Sequence, residues 1–101
     1  MEIKTVKQGD ATVAQFIGRL DTPAAQEISG NLTDLQEAAA GKLILDCEGL
    51  SYISSSGLRI FLTLRKTAAV KGGEVTLRHI NDDIRNVFLM TGFLNLFEIE
   101  E

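Results

Sequence analysis

Apolar residues follow two rhythms along this chain, and the switches between them predict its elements. Glu2–Lys7 and Thr12–Ile17 are short segments separated by Gln8-Gly9-Asp10. A glycine-centred polar interval of that kind has hairpin-turn chemistry, so both segments are expected to be paired strands. From Asp21 onward the spacing changes. Ala25, Ile28, Leu32, Leu35 and Ala39 alternate steps of three and four, which lays one apolar face along a helix. Thr22 is expected to cap this helix, with Pro23 at its first position, where the missing N–H costs nothing. Gly30 and Asn31 weaken its middle, and Gly41 ends it.

Lys42–Cys47 then places Leu43, Ile44 and Leu45 in a row, the mark of a strand buried on both faces. Leu58–Val70 returns to helical spacing and is closed by Gly72-Gly73. Glu74–Ile80 reads as another strand, with Val75 and Leu77 on one face. Asn81 is expected to cap a short helix whose first turn carries Asp82 and Asp83, where negative charge is favoured. Ile84, Val87, Phe88 and Met90 form its apolar side, and Gly92 ends it. Leu96–Ile99 is the last expected strand. The predicted order is β-β-α-β-α-β-α-β, and strands joined through helices imply right-handed crossovers and a mostly parallel sheet after the hairpin.

Composition narrows the possible functions. A length of 101 residues points to one domain spanning 1–101. The net charge of -4 argues against nucleic acid or anionic lipid as a partner. No apolar run approaches the roughly 20 residues of a membrane span, and MEIKTVKQGD carries no hydrophobic signal region. Cys47 stands alone, so no internal disulfide is possible. A soluble protein of a reducing compartment, the cytoplasm, is expected.

The chemically richest stretch is YISSSGLR, Tyr52–Arg59. As nucleophiles the serines need a base, and the only histidine is His79. No glycine precedes them in the G-x-S-x-G arrangement. A phosphate cradle needs more glycines and a lysine. One histidine, one cysteine and scattered acids lack metal-ligand spacing, so no metal or cofactor is expected. Capping explains one serine, because Ser54 or Ser55 can accept a first-turn N–H of the following helix. Modification remains. A phosphate at a helix amino terminus meets free N–H donors and the positive end of the dipole. The fold would carry that charge, whereas a partner packed over the same spot would be displaced.

The next helix bears on docking. Leu58, Ile60, Phe61, Leu62, Leu64, Ala68 and Ala69 cover an arc wider than the usual ~100° stripe, so the helix is either deeply buried or offers part of this face to a partner. Arg65 falls within the arc and is expected to lay its stem along it. Arg59, Thr63, Lys66 and Thr67 take most of the remainder.

Taken in order, these pieces resemble the STAS domain, in particular the single-domain bacterial anti-sigma-factor antagonists. Gly18-Arg19-Leu20-Asp21 resembles the family's Gly-x-Leu-Asp before the first helix. LILDCEGL (Leu43–Leu50) resembles its buried strand and turn, and YISSSGLR its regulatory loop. Thr91-Gly92-Phe93 and Leu96-Phe97-Glu98 resemble the approach to its last strand. The resemblance implies an α/β fold with a mixed, mostly parallel sheet and helices mainly on one face. It also implies a non-enzymatic partner switch. The unphosphorylated protein binds an anti-sigma factor that is a GHKL-type serine kinase; phosphorylation releases it, and a PPM-type phosphatase reverses the modification. Aligned on Gly57-Leu58, the phosphorylated serine falls on Ser55, with Ser54 and Ser56 as alternatives. The implied partner surface comprises Asp21, Ser51, Tyr52, Ser54, Ser56, Gly57, Leu58, Arg59 and Leu62. Many members carry Asp where this chain has Ser54, and many continue into a further helix beyond the last strand. A second role is a STAS subunit of a larger lipid-transport or stress-signalling assembly. An enzyme-class alternative is a small serine hydrolase or nucleotidase using Ser55 or Ser56.

Overall fold

The computed structural model describes residues 1–100. The chain opens with β1 (Glu2–Gln8) and β2 (Ala11–Leu20), then α1 (Thr22–Ser29) and α2 (Thr33–Ala38). Next come β3 (Lys42–Asp46), β4 (Leu50–Ile53) and the long α3 (Ser55–Lys71). It closes with β5 (Glu74–Arg78), α4 (Asp82–Thr91), a 3-10 turn at Leu94–Leu96 and β6 (Glu98–Glu100). One sheet runs β1-β2-β3-β5-β6, and β4 extends it by pairing with the far end of β2. Among the described residues, β1 and β2 pair antiparallel, as a hairpin, and every other pairing is parallel.

Strand alternation explains the layering. Phe16, Leu43, Leu45, Val75 and Leu77 point to one face and join residues of the helices in the main core. On the other face Ala11, Val13 and Ile44 form a small separate cluster. Ile44 is therefore buried, as the unbroken Leu43-Ile44-Leu45 run requires, although no helix contributes to its cluster. Arg78 lies on that face as well. By alternation it projects to the same face as Ile44, and its guanidinium bonds Glu100 at 3.0 and 3.2 Å and Gln8 at 2.9 Å. The guanidinium thus links Glu100 of β6 to Gln8 of β1, the two edge strands.

Several boundaries differ from the pattern-based expectation. The expected single first helix is two short ones, broken where Gly30 and Asn31 turn back onto the Ile28 carbonyl. Both residues are weak helix formers, and the buried face nevertheless continues through Ala25, Leu32, Leu35 and Ala39. Asp21, rather than Thr22, caps α1, its Oδ1 accepting the Ala24 N–H at 3.1 Å. The segment Leu50–Ile53 is a strand that alternation did not mark, because its two middle residues, Ser51 and Tyr52, are exposed. Gly18, at φ 108°, absorbs the register shift that lets β4 pair with β2. The last strand starts at Glu98, after the 3-10 turn, rather than at Leu96. Asn81 caps α4 and Gly92 ends it, as expected.

Deep burial accounts for α3. Gly57, Leu58, Ile60, Phe61, Leu64 and Ala68 are all buried, and the helix packs on β4, β5, α1 and α2. Arg65 donates its Nε–H to the Leu96 carbonyl, fixing the 3-10 turn to α3.

Cys47 lies fully inside, and burial, reinforced by the neighbouring Asp46 charge, pushes its thiol from 9.0 up to about 12. Because the folded-state value is raised, the neutral thiol contributes fully to stability below pH 9.0, and that contribution is lost as pH climbs towards about 12. At neutral pH, iodoacetamide is expected to label Cys47 only as fast as the protein opens, and immediately in denaturant. Rapid stoichiometric labelling of the native protein would contradict this placement.

Candidate functional site

The serine turn is built by two neighbouring parallel strands that each end in a helix cap. Leu20 of β2 is in register with Ile53 of β4. The residues that follow, Asp21 and Ser54, cap α1 and α3 in turn. The Ser54 N–H donates to the Leu20 carbonyl at 2.9 Å, tying the two caps together. Ser54 Oγ accepts the Gly57 N–H at 3.1 Å, and the Ser54 carbonyl accepts the Leu58 N–H at 2.9 Å. Ser54 is thus committed to capping.

Ser55 is the first helical residue and is exposed. Ser56 is half-buried in a groove between α1 and α3, lined also by Ala25, Gln26, Ser29 and Arg59. As the first two helical residues, Ser55 and Ser56 present N–H groups that have no acceptor within the helix. The first turn of α3 contains no acidic residue. A dianion on Ser55 would meet unpaired donors and the dipole of a 17-residue helix, with no repelling carboxylate in that turn.

Close packing fixes this geometry. A Cβ on Gly57 would come within 2.7 Å of Leu20 Cγ and 2.9 Å of Ile53 Cγ1, so only glycine lets the first turn of α3 lie directly on the two strand ends. Two of the residues expected to meet a partner are therefore internal. Gly57 and Leu58 are buried and cannot form the outer surface; they shape it from beneath. Asp21 is half-buried, and Leu62 is partly buried against the core. Ser51, Tyr52 and Arg59 are exposed, with Ser51 Oγ donating to the Gly18 carbonyl at 3.0 Å.

Sequence reasoning missed Arg19. Parallel pairing places it opposite Tyr52, and its guanidinium sits 4.4 Å from the centre of the Tyr52 ring. This exposed cation–aromatic pair flanks the serine turn on its strand side, and Arg59 lies one turn into the helix. The signal was hidden because the pairing depends on β4, which alternation did not reveal.

His79 is engaged elsewhere. Its Nδ1 lies 3.2 Å from Asp46 Oδ1 and 3.5 Å from Glu48 Oε2, at the carboxyl ends of β3 and β5. Among the described residues no hydrogen bond joins it to a serine, so the base that serine chemistry requires is not assembled at this turn. Asp46, Glu48 and His79 do form a cluster of possible metal ligands. Their positions along the chain showed no ligand spacing; the β3–β5 pairing, which sets Asp46 beside Arg78, creates it. Among the described residues no helix is long and apolar enough to cross a membrane.

A sequence model of the STAS domain matches residues 2–101. A candidate anti-sigma factor antagonist, BtrV of Bordetella bronchiseptica, is 28% identical over 99 residues, covering 98% of this chain and 85% of the relative. The anti-sigma-B factor antagonist of Staphylococcus aureus is 25% identical over 101 residues, covering 100% of this chain and 94% of the relative. Among solved structures, the Bacillus cell-fate determinant SpoIIAA in its phosphorylated form superposes with a TM-score of 0.71. It is 21% identical, and the match covers 99% of this chain and 92% of that one.

Proposed function

This chain belongs to the STAS domain family, and we propose that it is an anti-sigma-factor antagonist switched by phosphorylation of Ser55. In its unmodified state it binds an anti-sigma factor of the GHKL serine-kinase class through the serine turn. The kinase transfers the γ-phosphate of ATP to Ser55 Oγ, whose proton is lost, and the modified protein is released. A PPM-type phosphatase hydrolyses the ester and restores the binding form. The protein is a cytoplasmic binding module in this cycle, and the chemistry belongs to its partners.

One observation carries the reading: of the three hydroxyls, only Ser55 is exposed at the first position of a capped helix without acids in its first turn. Ser54 is held as the cap and Ser56 is half-sunk in the α1–α3 groove, so a kinase reaches Ser55 with least rearrangement. Two relatives that match over almost the whole chain bear antagonist names, one of them as a candidate, which supports the same role. The contact surface follows from exposure: Arg19, Ser51, Tyr52 and Arg59 around Ser55, with the half-buried Asp21, Ser56 and Leu62 at its margins and Gly57 and Leu58 supporting it from below.

Incubation with the cognate kinase and ATP, followed by phosphosite mapping, tests the assignment. A single phosphate on Ser55, absent from Ser55→Ala, is expected. Modification of Ser54 or Ser56 in the intact protein would overturn the choice of residue, and no modification at all would overturn the switch.

A further inference from the structure

Away from the serine turn, the carboxyl ends of β3 and β5 gather Asp46, Glu48 and His79, whose ligating atoms all lie within 4.8 Å of one another. We propose that these three side chains form a binding site for one divalent transition-metal ion of the zinc type. Zinc bonds to nitrogen and oxygen donors measure about 2.0–2.2 Å, so neighbouring ligands on a tetrahedron stand roughly 3.3–3.6 Å apart. The two edges that meet at His79 Nδ1 measure 3.2 Å to Asp46 Oδ1 and 3.5 Å to Glu48 Oε2. Two of the three edges thus already have tetrahedral spacing, and the third, between the two carboxylates, is no longer than 4.8 Å, so a small side-chain adjustment would bring all three onto one ion and leave the fourth corner for water.

The charges around the cluster favour a cation. Asp46 is only 7% exposed, and a carboxylate at that depth needs compensation. Arg78 is in register with it, yet turns its guanidinium to Glu100 and Gln8. Lys4 lines the surface depression of about 300 Å³ onto which Asp46 and Glu48 open, and neither carboxylate forms a salt bridge with it among the described residues. Among the described residues, His79 is the side chain paired with both acids. The Glu48 N–H donates to the same Asp46 Oδ1 at 3.0 Å, which holds that carboxylate in its orientation. Cys47 takes no part, because its sulfur points to the Leu45 carbonyl inside the core. A bound ion would join the β3–β4 turn to the end of β5, beside the strand that leads into the serine turn.

The inference is independent of the phosphorylation switch and is tested without any partner. Tag-free, chelator-stripped protein is titrated calorimetrically with Zn²⁺, alongside His79→Asn and Glu48→Gln. Asparagine tolerates the left-handed backbone of His79 (φ 57°), so the first variant keeps its fold. Binding of one Zn²⁺ per chain is expected, weakened more than tenfold in each variant. Co²⁺ bound to the native protein should show the visible bands of a tetrahedral site. No binding, or binding unchanged in His79→Asn or in Glu48→Gln, overturns the site.

Discussion

Ser55→Glu is expected to weaken binding to the anti-sigma partner by more than tenfold, whereas Ser55→Ala leaves it intact. Tenfold corresponds to about 1.4 kcal/mol, a modest demand on a charge placed at the centre of a contact surface. The asymmetry follows from the geometry. Ser55 has no capping duty, which Ser54 performs, so removing its hydroxyl removes nothing that the fold uses. Adding a carboxylate costs the domain little, because the helix terminus beneath it favours negative charge. The penalty falls on the complex, where the new charge is desolvated against a surface that had matched a neutral hydroxyl. Unchanged thermal stability of Ser55→Glu should therefore accompany its loss of affinity. Loss of both together would mean that the domain itself had been damaged.

The largest expected effect on folding is at Phe61. Its side chain is fully buried, with its ring 5.1 Å from that of Phe16 on β2 and 6.0 Å from that of Phe88 on α4. Phe88 continues the stack to Phe97 at 5.7 Å. This row of rings joins the sheet, α3, α4 and the approach to the last strand. Phe61→Ala removes the link between them, and such truncations cost about 3–5 kcal/mol. Whole domains are stable by only about 5–15 kcal/mol, so the variant should be close to unfolding. Urea denaturation checks this. Val70→Ala, at a position 86% exposed on the same helix, is the control and should shift stability by less than about 0.5 kcal/mol. A loss below about 1 kcal/mol for Phe61→Ala would contradict the packing described.

Much of this fold can be read from periodicity, and the exceptions have physical causes. The Leu43-Ile44-Leu45 run marks its strand because both faces are buried, and Asn81 with Gly92 brackets α4 because its ends carry their own caps. The strand Leu50–Ile53 stays hidden because only its two ends are buried, and four residues give alternation no room. The break between α1 and α2 is hinted at by Gly30-Asn31, but the apolar spacing runs through it, since both short helices bury the same side. At the site, the turn between strand and helix marks the three serines from the chain itself, and only the resemblance singles out Ser55 among them as the proposed phosphosite. The burial of Leu58 and Gly57 is not, because a helix wheel does not say how many layers cover it. Arg19 on Tyr52, and the meeting of Asp46, Glu48 and His79, arise from parallel strand pairings between distant segments. No local pattern encodes those.

Charge on the first residue of α3 is proposed to decide whether the partner stays bound. The most direct measurement is the partner's dissociation constant for this protein unmodified and for the same protein carrying one phosphate on Ser55. At least a tenfold rise in that constant on phosphorylation, reversed by phosphatase treatment, is expected. Equal affinity for the two forms would contradict it.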